Sequence, residues 1–103
     1  MIKKILFTLM IPLLLNAHTL IFNALDNEDG TMEIEAMFST GRSTEGANFK
    51  IISIATSQIL YEKRIPASGS LIVDVPNEAY KLLLDSGPGH QLEKNGDIKP
   101  KNG

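Results

Sequence analysis

A chain of 103 residues, with 10 Lys plus Arg against 12 Asp plus Glu and a formal net charge of −2, can bury one modest core. It lacks the basic excess that nucleic acid or an anionic membrane surface rewards. It also lacks Cys, which excludes disulfides, thiolate zinc sites, iron–sulfur clusters and thiol catalysis, so any metal must be held by His, carboxylate, backbone or a terminal amine.

The first segment is patterned for export. Met1-Ile2-Lys3-Lys4 is a basic start, and Ile5 to Leu15 is apolar apart from Thr8 and Pro12. Leu15-Asn16-Ala17 then ends on a small residue, which completes the three-part layout of a secretory signal. The run is shorter than the roughly 20 apolar residues of a spanning helix, so an uncleaved anchor is the lesser alternative. Residues 1–17 are expected to be a helical signal peptide, removed after Ala17 to leave a periplasmic domain. Loss of Lys3 and Lys4 takes the net charge from −2 to −4.

The remaining chain is patterned with period two. Leu20, Phe22 and Ala24 share one side of a first strand that runs to Leu25. Asp26 to Gly30 reads as a turn. Met32, Ile34, Ala36 and Phe38 then alternate with Glu33, Glu35 and Met37, which predicts a half-buried strand and, with the first, a β-hairpin. Ser39 to Gly46 is polar and reads as a loop. Strands are expected at Phe49 to Ala55, Ile59 to Ile65, Ser70 to Val75 and Tyr80 to Asp85, separated by Thr56-Ser57-Gln58, Pro66 to Gly69 and Asn77-Glu78-Ala79. Ser86 to Gly89 is a sharp turn, and His90 to Glu93 opens a short edge strand. Lys94 to Gly103 is polar and is expected to be a disordered tail. The fold class is therefore all-β: a small immunoglobulin-like or transthyretin-like antiparallel β-sandwich of six to seven strands over residues 18–93, with a small open barrel as the alternative.

Two residues carry the candidate chemistry. Cleavage after Ala17 makes His18 the first residue, with a free α-amine of reference pKa about 7.7–8 beside an imidazole near 6.5. Both deprotonate readily near neutral pH and could chelate one ion together. His90 follows Asp85-Ser86-Gly87-Pro88-Gly89, whose glycines and proline fix a bent backbone. Its imidazole would complete a set of three nitrogens, which suits Ni2+, Co2+ or Cu2+. Asp85 or Glu93 could add a fourth ligand or accept an imidazole N–H. The Asp26 to Asp29 run lacks the spacing of a calcium loop, and Ser39, Thr40, Ser43 and Thr44 have no base nearby in sequence. No catalytic set is evident, so the chain is not expected to be an enzyme.

Ala17-His18-Thr19-Leu20, the segments Gly46 to Ile51 and Ala67 to Val73, and Leu84-Asp85-Ser86-Gly87-Pro88-Gly89-His90 together give the chain a family likeness. It resembles the small periplasmic accessory proteins of energy-coupling-factor nickel and cobalt importers. The resemblance implies a part in Ni2+ or Co2+ uptake beside the membrane components of a transporter, with His18 and His90 as ligands and Asp85 as a motif position of open role. It departs from that pattern in having no C-terminal membrane helix, so docking would fall to the folded domain. Two other readings stay open. One is a copper-binding periplasmic sandwich; the other is a metal-free interaction module using the Glu33, Glu35 and Met37 face or an edge strand.

Overall fold

The computed structural model describes residues 19–100. Residues 1–17, read above as a signal peptide, and His18 lie outside the described residues, as do residues 101–103. Seven strands follow in order: β1 (Leu20–Asp26), β2 (Thr31–Phe38), β3 (Asn48–Ser53), β4 (Ile59–Arg64), β5 (Ser70–Asp74), β6 (Tyr80–Asp85) and β7 (Gln91–Asn95). They form two antiparallel sheets, β1-β2-β5 and β4-β3-β6-β7, packed as a sandwich rather than closed as a barrel.

The alternation read from the sequence is the reason the layers form. Leu20, Phe22, Met32, Ile34, Ala36, Phe38, Leu71 and Val73 line the inner face of the first sheet. Phe49, Ile51, Tyr80, Leu82 and Leu84 line the inner face of the second. The β1–β2 hairpin is set by its turn. Asp26 Oδ1 accepts from the Glu28 N–H at 2.7 Å, Asp29 Oδ1 accepts from the Thr31 N–H at 2.9 Å, and Gly30 supplies a positive φ. Pairing of Leu20 with Phe38 and Asp26 with Met32 fixes the register and so sends both apolar rows inward.

Three connections cross between the sheets: 39–47, 65–69 and 75–79. The first two lie at the same end and bond to each other, through Gly46 N–H to Ile65 O and Ile65 N–H to Ala47 O, both at 2.8 Å. Buried Thr44 adds its hydroxyl to the Ala36 carbonyl at 3.0 Å. This end also receives the start of β1 and the β6–β7 turn, and it carries the candidate site.

Two expectations are corrected. The third strand ends at Ser53, not Ala55. Ser53 N–H bonds across to Gln58 O at 2.8 Å, Ser57 takes φ 63°, and Ile54 is left half exposed in the turn. The tail is also ordered further than its polarity suggests. Lys94 and Asn95 complete β7, Gly96 N–H bonds to Tyr80 O at 2.9 Å, and the Tyr80 hydroxyl donates to Ile98 O at 2.7 Å. Ile98 packs on the core. A single apolar residue among lysines gives little signal on its own, and its partner Tyr80 lies on another strand.

Candidate functional site

His90 closes the β6–β7 turn. Ser86 N–H donates to His90 O at 2.8 Å and His90 N–H donates to Gly87 O at 2.9 Å. Gly87 and Gly89 take φ of 112° and 78° on either side of Pro88, values that L side chains rarely adopt. The turn is thus closed by backbone groups. The His90 ring instead meets the edge of Phe38, with centroids 5.5 Å apart and planes at 87°. A contact of this kind is worth about 0.5–1.5 kcal/mol beyond area burial and holds the ring's orientation.

Phe38 links His90 to the beginning of β1. Its register partner is Leu20. The following residue, Ser39, accepts from the Thr19 N–H through its hydroxyl at 3.2 Å and donates its own N–H to Thr19 O at 2.8 Å. Thr19 and His90 therefore stand at one end of the sandwich, joined through Phe38 and Ser39. This is the arrangement that a shared site at residues 18 and 90 requires, although His18 itself is outside the described residues.

The other candidate ligands have partners of their own. Asp85 Oδ1 accepts from the Gly87 N–H at 2.8 Å, which makes the carboxylate a brace for the turn. Its side chain lines an open groove of about 470 Å³ with Glu45, Asn48 and Arg64, whereas His90 lines a separate depression of about 250 Å³ with Phe38, Arg42, Ser43 and Ser86. Glu93 pairs with Lys81 at 3.0 Å on the outer face of the second sheet. No group of three or more His, Cys, Asp or Glu able to hold a metal stands among the described residues. His90 is therefore the one described nitrogen donor of the predicted set, and any further nitrogens must come from the chain preceding Thr19.

Phe38 and Arg42 were not legible as parts of this site. The alternation marked Phe38 as an inward residue, but nothing local aims it at His90. Arg42 sits in a loop whose path is set by the crossing between sheets. Arg42 lines the same depression as His90. No helix of the described residues is long and apolar enough to cross a membrane. No protein family, curated protein or solved structure matches this chain.

Proposed function

We propose that this chain is an exported, non-enzymatic metal-binding accessory domain that captures Ni2+ or Co2+ through the His18 amine, the His18 imidazole and His90, and hands the ion to the membrane components of a transporter. The observation that carries this reading is the juxtaposition of Thr19 and His90 at one end of the sandwich through Phe38 and Ser39. A chain start beside a rigid turn needs little ordering to close on an ion. A site at the rim leaves one side open for transfer. Nitrogen donors suit these borderline ions. In this reading Asp85 serves by bracing the turn that presents His90, not by ligation.

Calorimetric titration with Ni2+ tests the proposal on three forms: the chain beginning at His18, the same chain retaining Ala17, and the His90→Ala variant. Retaining Ala17 converts the α-amine to an amide, which is not basic. Both altered forms should lose at least about tenfold in affinity, given that even outer-sphere partners of a metal site are worth 10–100-fold. Equal affinity in all three would refute the site. The intact mass of the exported protein is the companion measurement, because a first residue other than His18 removes the amine.

A further inference from the structure

We infer that β5 is an interface strand that pairs with β5 of a second copy of this chain, antiparallel about a two-fold axis at Ile72, joining two three-stranded sheets into one of six. The inference is independent of the metal reading and rests on how the four edge strands are treated.

An edge strand presents unpaired N–H and C=O groups, and proteins protect such edges by covering, bulges or charge. β1 and β7 cover each other. Lys94 on β7 donates to Phe22 O on β1 at 2.6 Å, and its Nζ stands 5.0 Å from the Phe22 ring centroid. β4 carries a register irregularity opposite Ile51 and Ile52, and its sequence includes Glu62-Lys63-Arg64. β5 shows no register shift against β2 and carries a single charge, Asp74, at its last position. Its residues are Ser70-Leu71-Ile72-Val73-Asp74, and Ile72 is the most exposed large hydrophobic among the described residues at 66%.

The direction of the backbone groups follows from the ladder with β2. Ala36 N–H bonds to Gly69 O and Val75 N–H bonds to Gly30 O, so odd-numbered residues face β2. By alternation Ser70, Ile72 and Asp74 turn their N–H and C=O groups outward. Only Ser70 has a local substitute, the Ser68 hydroxyl, at 3.3 Å from its N–H and 3.5 Å from its carbonyl. Those distances are at or beyond the long end of the hydrogen-bond range, and such contacts yield readily to a better partner.

Self-complementarity selects the occupant. A two-fold axis normal to the sheet sets Ile72 against Ile72 of the second copy, and Ser70 against its Asp74, with each facing pair exchanging N–H and C=O. Apolar meets apolar, hydroxyl meets carboxylate, and no like charges face each other. On the inner side Leu71 meets Val73, which continues the core row across the junction. On β4, by contrast, an axis at Glu62 or at Lys63 would place a charge directly against itself. The short strand predicts a modest, concentration-dependent dimer rather than an obligate one.

The test is the mass of the purified chain by sedimentation equilibrium from about 5 to about 500 µM, a range that brackets micromolar association. A rise from one chain toward two is expected. Ile72→Lys should abolish it, while Leu25→Lys, an exposed change on β1, should leave it intact. Two further variants read the register with opposite signs. Ser70→Lys, facing Asp74 of the second copy, should tighten the dimer, and Ser70→Asp should weaken it, each by about three- to tenfold. A single-chain mass throughout the range overturns the inference, as does a dimer unaffected by Ile72→Lys or one that responds equally to both Ser70 variants.

Discussion

The two ends of this sandwich differ in the kind of atom they offer a cation. The end holding the Asp26–Gly30 turn, the 75–79 connection and residues 96–98 gathers Asp26, Glu28, Asp29, Asp74, Glu78 and Asp97. The opposite end offers His90 and the chain leading into Thr19, with two carboxylates, Glu45 and Asp85, beside Arg42 and Arg64. By Coulomb attraction alone a divalent ion would prefer the carboxylate end. Borderline ions such as Ni2+ and Cu2+ gain enough from nitrogen donors to favour the other. The contrast shows that field and donor type can point to opposite poles of one small domain, and that the proposed function depends on donor type prevailing.

The ends also differ in how they are built, and this separates stability from binding. The carboxylate end is closed by the tail, which clamps Tyr80. Tyr80→Ala should remove the clamp and its buried ring, costing about 3–5 kcal/mol in denaturant unfolding while leaving Ni2+ affinity of the folded protein unchanged. A large loss of affinity in that variant would mean that the two ends are coupled. His90→Ala should do the reverse. Its turn is closed by backbone bonds, so the stability loss should be smaller than that of Tyr80→Ala, while Ni2+ binding collapses. Glu28→Gln, at the carboxylate end, should leave Ni2+ affinity unaltered in the same titration.

Gly96 sharpens the comparison further. A Cβ built there would overlap the Tyr80 ring. Gly96→Ala should therefore cost about 1–3 kcal/mol as overpacking, with faster amide exchange confined to residues 94–98. Unchanged exchange there would show that the tail does not depend on close approach to the ring.

The smallest expected effect is a pH dependence at the same clamp. Burial pushes the Tyr80 hydroxyl above its ordinary value of 10.0, and the nearby Asp97 and Asp26 carboxylates add to the rise. The folded state therefore holds this proton more tightly than the unfolded chain does. The associated stability is fully present below pH 10.0 and is lost as pH climbs through that value toward the folded pKa. Between pH 9 and 11 the native chain should lose more stability than Tyr80→Phe. Equal losses would remove Tyr80 as the cause.

Much of this fold was legible because period two is a strong signal where one face of a strand is buried. Met32, Ile34, Ala36 and Phe38 were marked as inward and are inward. The β6 limits and the polar crossing at residues 39–46 also agree with the structure. What the sequence left unspecified was partnership between strands. Nothing in Ser70 to Asp74 indicates that β5 leaves its neighbours in sequence to pair with β2, and nothing in Ile98 indicates Tyr80. The same limit applies to the site. His90 and its turn were visible locally, whereas Phe38, Arg42 and the brace made by Asp85 arise from tertiary placement.

The location of the bound ion tests the account most directly. Cu2+, which shares the preference for nitrogen donors and broadens nearby resonances, can be added below stoichiometry to the labelled chain beginning at His18. Resonances of Thr19, Ser39, Ser86 and the His90 ring should vanish together, while those of Asp26 to Gly30 and Ile98 persist. Broadening centred on the Asp26 turn, or loss of Thr19 with the His90 ring untouched, would contradict a site shared between the chain start and the β6–β7 turn.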